Sequence, residues 1–123
     1  RTSPVQLMWI AATAGIIRWS VLAATTDLTA LFATQWLHGL TFGAAHLAAI
    51  HYMLQTVPKH LSASAQGLYS GFATGLVMGL TMLVTGWLYE DYGGGAFYAM
   101  IALSAAGGAT GIFLAGNTKD DTI

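Results

Sequence analysis

The chain alternates between four long apolar stretches and short polar gaps. The apolar stretches are Val5–Ala24, Leu28–Val57, Ala65–Leu88 and Ala96–Ala115. Each contains at least the ~20 residues that a helix needs to cross the ~30 Å hydrocarbon core of a bilayer. The pattern therefore predicts an all-α integral membrane protein with four transmembrane helices. Because the gaps are short, successive helices are expected to be antiparallel neighbours.

The Lys and Arg residues in the gaps and at the ends all fall on one of the two sides that antiparallel helices define. One side carries Arg1, Lys59 and Lys119, and the other carries Asp27, Glu90 and Asp91. Cytoplasmic loops of membrane proteins carry the excess of Lys and Arg. We therefore expect a bacterial cytoplasmic membrane protein in which both ends of this segment lie in the cytoplasm.

The composition narrows the class of function. The chain is 55% hydrophobic and only 7% charged, whereas about a quarter of the residues in soluble domains are charged. A net charge of −1 gives no basic surface for nucleic acid, and the absence of cysteine excludes disulfides and thiolate metal sites. The four histidines have no carboxylate beside them in any apolar stretch. We expect no metal, no cofactor and no enzymatic activity.

Arg18 is the one charged residue inside an apolar stretch. A charge at the centre of a membrane helix costs about 2.5–3.5 kcal/mol on insertion scales, and such residues usually mark a pathway for a substrate or an ion. His38 lies at nearly the same predicted depth in the next helix, because both residues are on the order of 15 Å from the turn at Asp27. His46 extends this polar stripe about two turns further. The alternative is that Arg18 snorkels to the membrane surface.

Glycines at four-residue spacing predict close packing of helices. The third stretch contains a series of four and the second contains a pair: Gly67, Gly71, Gly75 and Gly79, and Gly39 and Gly43. In lipid, such faces let another helix backbone approach closely. The spacing favours static packing, and it also suits an interface that slides.

Three blocks of the sequence resemble the major facilitator superfamily, in the branch of phenylpropionate-permease-like carriers and lactose permease. The blocks are QWLHGLTFGAAH at 35–46, VPKHLSASAQGLYSG at 57–71 and GWLYEDYGG at 86–94. The resemblance implies that the four stretches are the ninth to twelfth helices of a twelve-helix carrier, so that this chain is part of a longer one. In that branch the ninth helix carries an Arg and the tenth a His with a Glu one turn later. Arg18 and His38 match the first two positions, and Thr41 stands in place of the Glu.

The resemblance and the polar residues together predict a secondary active transporter. We expect proton-coupled symport of a small organic solute, such as an aromatic acid, a sugar or a nucleoside, with Arg18, His38, Thr41 and His46 on the pathway. Its partners are expected to be the lipid bilayer, the substrate, protons and the missing N-terminal helices. The alternative hypothesis is a small self-contained four-helix membrane protein that acts as a subunit or scaffold.

Overall fold

The structure of the chain, a computed structural model, describes residues 3–117, with side chains for residues 3–113. The basic residues Arg1 and Lys119, which carry part of the predicted orientation, lie outside this range. The described part is almost entirely helical, which confirms the prediction of an all-α chain. Helix α1 spans Pro4–Ala24 and helix α2 spans Leu28–Thr56.

Both of these helices begin at caps that the sequence provides. The Ser3 side chain accepts a hydrogen bond from the backbone N–H of Gln6, whose side chain accepts one from the Ser3 backbone N–H. At α2 the carboxylate of Asp27 accepts a hydrogen bond of 3.0 Å from the Ala30 N–H. These side chains satisfy donors that a helix start leaves free. Pro58 then follows the end of α2 and precedes a short 3₁₀ turn, Lys59–Leu61.

The third apolar stretch forms one rod with a change of winding in its middle. Helix α3 (Ser62–Tyr69) passes into eight residues of π-helix, Ser70–Val77, and then into helix α4 (Met78–Tyr92). The rod therefore extends beyond the predicted stretch at both ends. The sequence did not predict the π segment, in which hydrogen bonds run from residue i to i+5 and more residues fit in each turn.

A glycine turn joins this rod to helix α5 (Phe97–Asn117). Gly93 has φ +54° and ψ −132°, a backbone conformation that residues with a Cβ rarely adopt. The following 3₁₀ turn, Gly93–Ala96, lies against the end of α1, where a Cβ on Gly94 would be 3.2 Å from the carbonyl oxygen of Ala23. The turn is thus held against α1 by close backbone contact.

Helix α1 is central, with α2 on one side and α5 on the other. The small core consists of Leu7, Ala11, Ala44 and Ala48, with Met8 packed against it. The rod formed by α3, the π segment and α4 has no buried residue. Many large apolar side chains are exposed, including Trp36 at 85% and Leu68 at 75%. Exposed apolar surface on this scale is typical of a chain that meets lipid or other helices.

Two helical segments in the described range are long and apolar enough to cross a membrane, by length and composition alone. They are Pro4–Ala24 and Lys59–Phe113. The second range includes the rod, the glycine turn and most of α5, and its apolar window has no buried residues. A core helix of a soluble protein also passes this test, but it would be mostly buried. Helix α2 has 29 residues and falls short in hydropathy, since it carries three histidines. The predicted number of four membrane crossings stays a prediction.

Candidate functional site

The larger of two described clefts lies between α1, α2, the rod and the start of α5, and we call it the arginine cleft. Its volume is about 690 Å³. Its lining combines one cation, one imidazole, aromatic rings and small polar groups, among them Arg18, Trp19, His38, Phe42, Tyr69, Thr81, Tyr89 and Phe97. Concave sites with apolar walls and a few convergent polar groups are the usual form of small-molecule sites.

Arg18 provides the only charge on the lining of the arginine cleft. Its guanidinium Cζ lies 4.4 Å from the centroid of the Trp19 ring. The Nε atom is buried and has no hydrogen-bond partner among the described residues. A buried donor of a charged group without a partner is costly. The guanidinium lines the cleft, and an anion bound there would offset this cost.

An aromatic cluster extends from Trp19, the ring that lies beside this cation. The Trp19 and Phe97 rings stack with centroids 5.5 Å apart and 21° between their planes, and Tyr89 lies 5.9 Å from Phe97. The glycine turn after Tyr92 brings the end of α4 back to the start of α5, which places Tyr89 beside Phe97. Trp19 and Tyr89 thus line the cleft together.

A second row of rings follows one face of α2. His38, Phe42 and His46 are spaced four residues apart and therefore lie on neighbouring turns. The centroids of His38 and Phe42 are 6.2 Å apart, and those of Phe42 and His46 are 6.1 Å apart with 3° between the planes. His46 in turn lies 5.9 Å from Tyr69 of α3. Phe42 thus connects the two histidines, and Tyr69 extends the row to the rod.

The structure brings two of the four predicted pathway residues to one cleft. Arg18 and His38 both line the arginine cleft, without a hydrogen bond between them among the described residues. His46 contacts the cleft residues Phe42 and Tyr69. Thr41 lies elsewhere: it donates a 2.7 Å hydrogen bond to the Leu37 carbonyl and lines a different cleft. Three residues along a helix leave Thr41 about 60° around the axis from His38, and this offset is enough to place it on the neighbouring cleft.

The second cleft has a volume of about 430 Å³ and is lined mostly by small side chains, so we call it the alanine cleft. It lies between α1, α2, α3 and α5, and its lining includes Met8, Ala11, Thr41, Ala45, Ala48, Tyr52, Tyr69 and Ser104. Among the described residues, Tyr69 is the one that lines both clefts.

The six glycines predicted to pack have no close neighbour in the described residues. A Cβ would meet nothing within 4 Å at Gly39, Gly43, Gly67, Gly71 or Gly79, and at Gly75 only the Ser70 carbonyl at 4.0 Å. Their packing role stays a prediction. The glycines in tight contact are others, which the sequence analysis did not select: Gly15 and Gly108 between α1 and α5, and Gly94 in the turn.

Sequence reasoning also missed the aromatic contribution to the cleft. Phe42 and Tyr69 were not selected, although the spacing of Phe42 midway between His38 and His46 was visible in the sequence. Phe97 was not selected either, because its contact with Trp19 depends on how α5 returns along α1. No local pattern specifies that contact.

Comparison with known protein families identifies the class to which this helical chain belongs. The model of the MFS_1 like family, which belongs to the major facilitator superfamily of transporters, matches residues 1–100. The chain belongs to the major facilitator superfamily. The resemblance seen in the sequence blocks is thereby confirmed.

Two curated relatives in this superfamily are named as a transporter and a permease. The chain is 35% identical over 107 residues to a probable 3-phenylpropionic acid transporter of Escherichia coli (strain K12), and 30% identical over 103 residues to a maltose permease of Geobacillus stearothermophilus. These matches cover 85% and 84% of the chain but only 28% and 26% of the relatives. The chain thus spans little more than a quarter of their length. No solved structure gives a significant match.

Proposed function

We propose that this chain is the substrate-contacting C-terminal part of a secondary active transporter that carries a small organic solute together with protons. Membership of the superfamily supports transport as the general activity. The observation that carries the finer proposal is the buried, unpartnered Nε of Arg18 on the wall of the arginine cleft. Such a group receives an acceptor from the solute, and an anion is the acceptor that matches its charge.

The walls of the arginine cleft favour an anion that also carries a ring. Trp19 lies next to the cation, Phe97 stacks on Trp19, and Tyr89 lies beside Phe97 on the lining of the same cleft. Aromatic pairs contribute about 0.5–1.5 kcal/mol beyond the area that they bury. An aryl carboxylate would place its carboxylate at Arg18 and its ring against this cluster. The name of the Escherichia coli relative, a probable 3-phenylpropionic acid transporter, supports the same class of solute over a sugar.

His38 is the proposed site of proton coupling. It shares the arginine cleft with Arg18, so a bound carboxylate would lie between a guanidinium and an imidazole. A negative solute favours a proton on the imidazole, and a protonated imidazole favours the negative solute. Each ligand then raises the affinity for the other by the same factor. Solute and proton are loaded together.

The proposal includes the placement of the chain in the membrane. Four crossings are formed by α1, α2, the rod and α5, with the loops at Lys59 and both ends on the cytoplasmic side. Helices outside this chain supply the other wall of the pathway, and the two halves rock alternately around a site near the membrane midplane. The share of the relatives covered by the chain supports such an arrangement.

Uptake by the complete protein tests the proposal. Cells expressing it are given labelled 3-phenylpropionate, maltose or a nucleoside, with and without a protonophore. We expect accumulation of 3-phenylpropionate above the vector control, abolished when the pH gradient is collapsed. Accumulation of maltose alone would contradict the anion assignment, and accumulation unaffected by the protonophore would contradict proton coupling.

A further inference from the structure

Tyr69 occupies a position that no other described residue shares. It is the last residue of α3, it is half-buried, and it lines both the arginine cleft and the alanine cleft. A side chain on two linings is part of the wall between them. The function of that wall depends on how the two clefts are arranged.

The clefts follow one another along the helices. On α1 the alanine cleft touches Met8 and Ala11, whereas the arginine cleft touches Arg18 and Trp19. Eleven residues of helix separate Met8 from Trp19, which is about 16 Å. On the antiparallel helix α2 the order is reversed: the arginine cleft touches His38 and Phe42, the alanine cleft runs from Thr41 to Tyr52, and the two linings overlap at Thr41 and Phe42. The two clefts therefore lie in series along the helix axes, toward opposite ends of the bundle.

The aromatic row on α2 holds the Tyr69 ring at this boundary. Its centroid lies 5.9 Å from that of His46, which stacks on Phe42 at 6.1 Å. Phe42 lines the arginine cleft, whereas Thr41 and Ala45, which lie before and after it on α2, line the alanine cleft. The His46–Tyr69 contact thus joins α2 to the rod at the level where one cleft gives way to the other.

The backbone changes its winding immediately after Tyr69. The π segment Ser70–Val77 begins at the next residue and includes Gly71 and Gly75, neither of which meets a side chain within 4 Å. Single-turn π segments are commonly found at functional sites, and an eight-residue segment leaves a long stretch that could rewind as α-helix. Rewinding would rotate the end of α3 relative to α4 and carry the Tyr69 ring with it.

We infer that Tyr69 is a gate between the two clefts. The ring closes the passage while it packs on His46, and rotation at the junction of α3 and the π segment opens it. The inference rests on the proposed transport function, to which it adds the residue that separates the two ends of the pathway. It assigns no new solute.

Thiol accessibility in the complete protein tests this gate. These 123 residues contain no cysteine, so single reporters can be introduced after any cysteine elsewhere in the protein has been replaced by serine. Thr81→Cys reports on the arginine cleft and Ala45→Cys on the alanine cleft. A membrane-impermeant thiol reagent is applied to right-side-out and inside-out vesicles, which probes both faces regardless of orientation.

With Tyr69 present, we expect the two reporters to react from opposite faces. In Tyr69→Ala, the Ala45→Cys reporter should also react from the face that labels Thr81→Cys. The expected acceleration is about tenfold, which corresponds to a barrier lower by about 1.4 kcal/mol. Tyr69→Phe keeps the ring and should keep the block. If the Tyr69→Ala protein does not accumulate in the membrane, Tyr69→Leu takes its place, and the same faster labelling is expected.

The controls separate the gate from folding and from transport. Tyr98→Ala removes an exposed ring that lines neither cleft and should leave both labelling patterns unchanged. If Ala45→Cys is labelled equally in the presence of Tyr69 and in Tyr69→Ala and Tyr69→Leu, the ring does not block the passage and the gate is overturned. Labelling does not depend on solute uptake. If uptake by the unsubstituted protein fails while the labelling pattern holds, the proposed function is wrong and the barrier at Tyr69 remains.

Discussion

Gly15 of α1 and Ser104 of α5 lie in direct contact. A Cβ built on Gly15 would be 2.7 Å from the Ser104 Oγ and 3.2 Å from its Cβ. The Ser104 hydroxyl could rotate away from such a Cβ, but the Ser104 Cβ could not, so a side chain at residue 15 would push the two helices apart. In lipid, such backbone contact is a main source of helix association.

Gly15→Ala is therefore expected to destabilise the protein. Overpacking of this kind costs about 1–3 kcal/mol, and it should appear as a lower midpoint of thermal unfolding of the complete protein in detergent. Gly86→Ala is the matched control, because its Cβ would meet nothing within 4 Å and it stands outside the glycine series predicted to pack. There the gain in helix propensity, about 0.5–1 kcal/mol, should leave stability unchanged or raised. Ser104→Ala should partly rescue Gly15→Ala, and a midpoint unaffected by Gly15→Ala would contradict the contact.

Arg18→Ala is expected to reduce uptake of an aromatic carboxylate. Loss of a hydrogen bond to a charged group costs about 1.5–3 kcal/mol, which corresponds to a roughly 10- to 150-fold loss of affinity. Arg18→Lys keeps the charge but not the planar group that lies over Trp19, and should be intermediate. Lys59→Ala, in the 3₁₀ turn outside both clefts, is the charge-removal control. Uptake of the anion at the original rate by Arg18→Ala would rule out an anion site at this residue.

The helices were predictable from the sequence because they depend on local chemistry. Apolar runs, the Asp27 cap, Pro58 and Gly93 mark their limits. The depth argument for Arg18 and His38 also needs only the rise of a helix. By contrast, the face on which Thr41 lies and the contact of Gly15 with Ser104 depend on how α1, α2 and α5 are rotated against one another. The π segment and the position of Tyr69 on the linings of both clefts likewise arise from packing, which the periodicity of the sequence does not encode.

Trp19→Ala is expected to weaken both the fold and the site. The ring stacks on Phe97 and lies under the Arg18 guanidinium. Together these interactions contribute about 1–2.5 kcal/mol. Thermal unfolding and uptake should therefore both decline. Trp36→Ala is the matched control, because Trp36 is 85% exposed and lines neither cleft. Equal effects of the two substitutions would contradict a specific role for Trp19.

Gly71→Leu tests the predicted packing of the glycine series. The described residues offer no neighbour within 4 Å of a Cβ at this position, so a leucine is tolerated unless a helix outside this chain packs there. We expect reduced stability and uptake of the complete protein. Gly86→Leu is the control for stability alone, since Gly86 is equally open and stands outside the four-residue series but lines the arginine cleft. Normal stability and uptake of Gly71→Leu would show that this face meets lipid instead of a helix.

His38→Gln is expected to separate solute binding from proton coupling. Glutamine retains hydrogen-bonding capacity but cannot carry a proton, so the solute should still enter the arginine cleft beside Arg18. Accumulation driven by a pH gradient should therefore disappear, whereas exchange of labelled for unlabelled solute, which needs no net proton movement, should persist. His51→Gln is the matched control, because His51 is on the same helix but lines neither cleft. If His38→Gln still accumulates solute against its gradient, the proton is carried by another residue and His38 serves only to bind the solute or to pack on Phe42.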